Sequence, residues 1–284
     1  AHSIRPDAFV DISNFYTVTV YEKGAEVVRM LHTLLGPDLF YRGADLYFKR
    51  FDGLAATCED FLDCMAEVAD RDLSQFSLWY EQAGTPQIEY DGVYDSQTKS
   101  YTLTLRQRKS GVSEAGNELP LLIPVSLGLI VGSKPVLLGE GTTETVELKE
   151  FEQKFTFDKI DSDPVPSLLR GFSAPVRLLT AQSDSDLLTL MSSDDDPYVA
   201  WDASQTLLAN AIEDNDTTSK ISGNLLEAFA RVLRGPMDPA MKALMLRLPG
   251  EEYLADRASQ KGLIDVGTIH SNREGFKQLL GEQL

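Results

Sequence analysis

The sequence predicts a multidomain α+β chain: helices first, then a β-sandwich, then the start of an α-helical superhelix. Three observations predict it. Apolar residues recur at helical spacing through residues 21–86. Short alternating segments split by Gly, Pro, Ser and Asp fill residues 87–181. Short capped helices then follow one another over 182–284, as in a solenoid. A length of 284 residues also exceeds what one compact domain usually holds.

The first helix is expected in EKGAEVVRMLHTLLG, where Ala25, Val28, Leu31 and Leu35 form the apolar stripe and Gly36-Pro37 stops it. The second fits DLFYRGADLYFKRF, with Leu39, Phe40, Ala44, Tyr47 and Phe48 as its apolar positions. Thr57 can cap the third, with Asp60 three residues later completing a capping-box pattern. The fourth, LSQFSLWYEQAG, takes Ser74 or Asp72 as its cap and ends at Gly84, before Pro86.

In SYTLTLRQR, Tyr101, Leu103 and Leu105 alternate with Thr102, Thr104 and Arg106, the period of a half-buried antiparallel strand. QIEYDGVYD precedes it. LLIPVSLGLIV, KPVLL, TVELK, KFTFDKI and APVRLLT supply further strands, and LGEGTTET reads as a hairpin turn. Asp196-Pro197 then caps and opens PYVAWDASQTLLANAIE. Helices are also expected over Ile221–Leu233, Pro239–Leu248 and Glu251–Gln260, with DNDTTSK as a polar loop and a helix-like GFKQLLGEQL at the end.

Composition narrows the function. Acidic residues outnumber basic ones, 44 to 26, for a formal net charge of −18. Such a surface repels phosphate backbones, so no nucleic acid partner is expected, and an anionic membrane surface is disfavoured. No stretch approaches the ~20 apolar residues of a membrane span. There is no basic-then-apolar leader, and both ends look cut from something longer. Cys58 and Cys64 lie six apart on one helix and point to different faces, so two reduced thiols and a cytoplasmic location are expected.

Chemistry is sparse. His2, His32 and His270 stand in no metal-ligand spacing. No G-x-S-x-G, P-loop or G-x-G-x-x-G occurs. Glu59-Asp60 are adjacent carboxylates that point apart, and Asp194-Asp195-Asp196 sit before a helix, where negative charge suits the dipole. What remains is tyrosine. NFYTVTVYEKG carries Tyr16 and Tyr21, and its alternation breaks into a helix at Glu22-Lys23-Gly24. A tyrosine at a strand-to-helix junction can aim an uncharged donor into a cleft, which suits an oxyanion. A half-buried aromatic whose hydroxyl meets a nearby carbonyl is the other reading.

The stretch AHSIRPDAFVDISNFYTVTVYEKGAEVVRMLHTLLG resembles the segment downstream of the zinc site in the gluzincin zinc aminopeptidases, of the bacterial aminopeptidase N (alanyl aminopeptidase) kind. YFKRFDGLAATCEDF, WYEQAGTPQ, YTLTLRQR, PLLIPVSLGLI, FTFDKI, LLRGFSAPVRL and WDASQTLLA continue the likeness in order. The resemblance implies the C-terminal part of a thermolysin-like catalytic domain over 1–86, an immunoglobulin-like β-sandwich over 87–181, and the first superhelix turns over 182–284. It implies that Tyr21, in Y-E-K-G, is catalytic, donating its phenolic hydrogen to the tetrahedral intermediate. Zinc would polarise the carbonyl and activate water, and a glutamate would take the water's proton. Tyr16 matches a tyrosine lining the pocket for the substrate's first side chain. Glu22 adjoins the site and either touches substrate or caps the following helix.

The family's H-E-x-x-H, third zinc ligand and G-A-M-E-N phrase are absent here. The Zn2+ ligands and the upstream catalytic half are therefore expected outside this chain. Peptides with a free N-terminus are the implied substrates, and the chain alone is expected to be inactive. The alternative is a non-catalytic β-sandwich and helical-repeat interaction module.

Overall fold

The computed structural model describes residues 2–6, 11–108, 119–180, 182–214, 223–259, 262 and 264–283. It runs helices, then strands, then helices, and divides into two compact units. The first comprises Ala1–Leu127, Glu144–Ile160 and Phe172–Thr180; the second comprises Gly128–Thr143, Asp161–Gly171 and Ala181–Leu284.

In the first unit, α1 (Gly24–Leu35) buries Val27, Met30, Leu31 and Leu35. The expected stripe is thus rotated: Ala25 faces outward and Val28 is half-buried. Gly36 ends α1 at φ 78°, a left-handed backbone that a side chain would strain, and Pro37 opens α2 (Pro37–Phe51). Of the residues of α2 only Gly43 is buried, and Phe48, expected on the apolar face, is 65% exposed. The capping box of α3 (Cys58–Ala69) forms as its sequence requires. Asp60 N–H donates to Thr57 Oγ1 at 3.2 Å, and Thr57 N–H to Asp60 Oδ2 at 2.8 Å. Neither cap candidate for α4 (Ser74–Glu81) stands at its N-cap, which is Leu73 and has no side-chain cap bond; Asp72, one residue earlier, accepts from Ser74 N–H at 2.8 Å. Cys58 and Cys64 are free thiols.

One sheet of this unit has the order β6-β2-β1-β8, built from β1 (Gln87–Asp95), β2 (Ser100–Arg108), β6 (Glu152–Asp158) and β8 (Arg177–Leu178). The β1–β2 hairpin is antiparallel, with Gln87 opposite Arg108 and Asp95 opposite Ser100. The alternation in β2 places Tyr101, Leu103 and Leu105 inside. A second sheet forms around β3 (Ile123–Val131), which is buried along nearly its whole length. Its first half pairs antiparallel with β5 (Glu144–Leu148), Ile123 opposite Leu148. Its second half, in the second unit, pairs with β4 (Lys134–Pro135), and β7 (Val165–Leu168) also pairs with β3. Only two residues of KPVLL are strand, and β7 had no alternation to announce it. The expected hairpin turn forms as Leu138 N–H donates to Gly141 O at 2.7 Å.

The second unit is chiefly helical: α5 (Asp184–Ser193), α6 (Pro197–Glu213), α7 (Gly223–Arg234), α8 (Pro239–Leu246), α9 (Glu251–Ser259) and α10 (Val266–Gln283). Asp196 caps α6, accepting from Val199 N–H at 2.9 Å, and Pro197 takes its first position. Leu190, Ala200, Leu208, Phe229, Met245 and Leu254 lie in its core. DNDTTSK after Asp214, the first two residues of Ile221–Leu233, and Gln260 lie outside the described residues.

The aspartate trio does more than face a dipole. Arg170 is buried, and Nη2 reaches Asp194 and Asp195 at 2.9 Å each. Nε donates to Ser167 Oγ at 2.8 Å, and Nη1 to Thr142 O at 2.8 Å and Thr143 Oγ1 at 2.9 Å. Leu169 and Gly171, on either side, both have left-handed backbones, φ 59° and 58°. That local reversal turns a charged residue inward.

Candidate active site

TVTVY invites a strand by its alternation and β-branched residues, but Thr19–Lys23 is a π-helical turn running directly into α1. Thr17 decides this. Its Oγ1 accepts from Val20 N–H at 3.2 Å and its carbonyl oxygen from Tyr21 N–H at 3.1 Å. Local side-chain capping competes with an extended backbone and wins where no neighbouring strand supplies a ladder. The junction carrying Tyr21 is therefore helix-to-helix, a correction to the strand-to-helix expectation. π-Turns inside helices are rare and concentrate at functional sites.

Tyr21 is 56% exposed and Tyr16 64% exposed. The two rings stack, centroids 6.1 Å apart with an interplanar angle of 22°. Phe15 meets Tyr16 edge-on at 6.4 Å and 86°. Glu22 is exposed and does not cap α1, whose start has no side-chain cap hydrogen bond. The three predicted residues thus share one short segment, and Tyr16 and Tyr21 are in contact.

Lys23, on the same turn, had no assigned role. Its Nζ donates to Gly84 O at 2.7 Å and lies 5.8 Å from the centre of the Trp79 ring. Burial pushes the Lys23 ammonium below its ordinary value. Trp79 is itself pinned, donating through Nε1 to Leu122 O at 2.9 Å. The end of the π-turn is thereby tied to the loop after α4. Lys23 is legible in Y-E-K-G as a residue, but its partner lies 61 positions away.

Among the described residues, no three His, Cys, Asp or Glu side chains come together to hold a metal ion. His2 binds Ser3 and Thr17, His32 packs on Phe40 and Tyr41, and His270 pairs with Glu251. These residues do not fit the zinc that the resemblance implies. No helix among them is long and apolar enough to cross a membrane.

Three family models match in order: the peptidase family M1 domain over 1–80, a domain of unknown function with an Ig-like fold over 84–181, and its C-terminal partner of ARM repeats over 184–284. Aminopeptidase N of Escherichia coli (strain K12) is 39% identical over 295 residues, covering 100% of this chain and 34% of that protein. Aminopeptidase N of Caulobacter vibrioides is 40% identical over 293 residues, covering 100% and 33%. The crystal structure of Legionella pneumophila aminopeptidase A in complex with aspartic acid matches with a TM-score of 0.84 at 26% identity, over 99% of this chain and 32% of that one. The chain spans about a third of the length of the curated relatives it matches. The helical start, Ig-like β domain and ARM-like helices follow the order the sequence predicts. By these matches residues 1–80 correspond to the peptidase family M1 domain, and the chain is similar along its whole length to about a third of bacterial aminopeptidase N.

Proposed function

We propose that the polypeptide carrying this chain is a zinc-dependent aminopeptidase that removes N-terminal residues from peptides, and that Tyr21 is its oxyanion donor. The observation that carries the reading is a half-exposed tyrosine on a clamped π-turn, within a segment similar to aminopeptidase N along its whole length. A phenol donates one hydrogen bond without carrying charge. Aimed at the carbonyl oxygen as it becomes negative, it stabilises the tetrahedral transition state more than the planar substrate, which raises kcat. Tyr16, stacked on Tyr21, offers an apolar wall to the substrate's first side chain. Glu22 offers an exposed carboxylate beside it, suited to a cationic amine.

The metal's ligands then lie outside this chain, and the chain alone is inactive. The domain limits follow as 1–86 catalytic, 87–181 sandwich and 182–284 superhelix. The free thiols Cys58 and Cys64 support a cytoplasmic location.

The test is Tyr21→Phe in the whole enzyme, assayed on an alanyl chromogenic amide with zinc content measured alongside. One oxyanion donor is worth roughly 10²–10³ in kcat. A Tyr21→Phe enzyme that keeps its zinc and its kcat refutes the role.

A further inference from the structure

We propose that His2 is a positioning residue for Tyr21, acting through Thr17; this rests on the reading of Tyr21 above. His2 Nδ1 lies 2.7 Å from Ser3 O. A carbonyl oxygen only accepts, so this partner assigns the imidazole proton to Nδ1. Nε2 is then an acceptor, and Thr17 Oγ1, 3.0 Å away, donates to it. The same Oγ1 accepts from Val20 N–H at 3.2 Å. A hydroxyl has one proton and turns freely about its C–O bond. With that proton held by His2, a lone pair of Oγ1 stays directed at Val20.

The consequence reaches Tyr21 directly. Thr17 holds two successive N–H groups, Val20 through its hydroxyl and Tyr21 through its carbonyl. These set the first turn of the π-helix Thr19–Lys23. The Tyr21 bond to the Thr17 carbonyl spans four residues, as at an ordinary helix start, so these two bonds fix the phase at which the chain enters the π-turn, and a change of phase swings the Tyr21 side chain around the helix axis. The other end is held independently by Lys23 on Gly84. His2 therefore guards the end of the turn that Lys23 does not. Among the described residues no ring contact joins His2 to Tyr21, so its effect travels through Thr17 and the backbone.

Four variants of the whole enzyme test this: His2→Ala, Thr17→Val and Thr17→Ser alone, and His2→Ala combined with Tyr21→Phe. A reacting group displaced by about 1 Å can lose up to about 10² in rate. His2→Ala and Thr17→Val are each expected to lower kcat about tenfold, with KM within about twofold. Thr17→Ser, which keeps the hydroxyl, is expected to retain kcat. In the Tyr21→Phe background, His2→Ala is expected to cost nothing further, because the hydroxyl it positions is gone.

A His2→Ala penalty that persists undiminished beside Tyr21→Phe, or a Thr17→Val enzyme with unchanged kcat, overturns the inference while leaving Tyr21's own role intact. A Tyr21→Phe enzyme of normal kcat overturns that role and the inference with it. Thr17→Val keeps the side chain's shape, so the Thr17 pair decides the matter even if His2→Ala does not fold.

Discussion

Replacing Arg170 with methionine removes a guanidinium and leaves the counter-charge of Asp194 inside the protein. The Asp194 side chain is 0% exposed. It would keep Asp196 N–H, at 2.9 Å on Oδ1, and the Ser167 hydroxyl, while Oδ2 already has no partner among the described residues. Burial already pushes the Asp194 carboxyl above its ordinary range, against hydrogen bonds from Ser167 and Asp196 and the pull of Arg170's charge. Ser167, Thr142 and Thr143 would each lose a donor as well. Breaking a buried pair from one side costs about 3–5 kcal/mol, and the lost neutral hydrogen bonds overlap with that figure. At a urea slope of about 2 kcal/mol/M, the midpoint falls by roughly 2 M.

The assay exploits the two tryptophans, Trp79 in the first unit and Trp201 in the second. Incorporated 5-fluorotryptophan followed by 19F NMR through a urea series reads the Trp201 transition by itself. The double variant Arg170→Met/Asp194→Leu, which removes both fully buried charges, should recover at least half of the loss. A Trp201 midpoint that moves by less than about 0.3 M in Arg170→Met would refute the reasoning that a desolvated charge governs this unit.

Two further perturbations follow from the first unit. Gly43→Ala would ordinarily help a helix, but its Cβ would collide with Met65 Sδ and sit 3.2 Å from Met65 Cα, with Met65 fully buried. Overpacking of about 1–3 kcal/mol outweighs the propensity gain, so Tm should fall by several degrees in a thermal scan; a rise would sink the packing argument. Glu147 is the pH case. Burial raises its carboxyl, but hydrogen bonds from Lys149 and Arg71 outweigh it and hold the pKa below the ordinary value. A depressed carboxylate contributes stability above its unfolded pKa, near ~4.5, and loses it as pH falls through the lower folded value. Wild type should exceed Glu147→Gln in urea midpoint at pH 6, and the gap should close by pH 3. A gap that stays constant across that range would assign the difference to packing.

The regular elements were legible because each is dictated by neighbours in sequence. Thr57 with Asp60, Asp196 with Pro197, and Gly36 with Pro37 fix helix ends through groups one to three residues apart. Alternation in SYTLTLRQR puts Tyr101, Leu103 and Leu105 on the buried side of β2, although Thr104, expected on the other side, is buried too. Misreadings arose where two local signals competed or where none existed. TVTVY has strand propensity, yet Thr17's capping bonds and the absence of a described ladder partner turn it into helix. The stripe on α1 shifted because burial of Val27 and Met30 is chosen by what packs against them. β7, VPSL, is four residues long and carries no period to detect.

The sequence by itself determined the order of helix, sandwich and helix, the caps that bound them, and the presence of Tyr21's uncharged donor within Y-E-K-G. Only the tertiary structure decided that Tyr16 stacks on Tyr21, that Lys23 reaches Gly84, that His2 holds Thr17, and that Arg170 is buried among Asp194, Asp195, Ser167, Thr142 and Thr143. The reason is physical. Periodicity and capping act through bonds a few residues long, so they are written along the chain. The strength of a charge or a hydroxyl depends on which distant groups exclude water from it, and that is settled only when the chain has closed on itself.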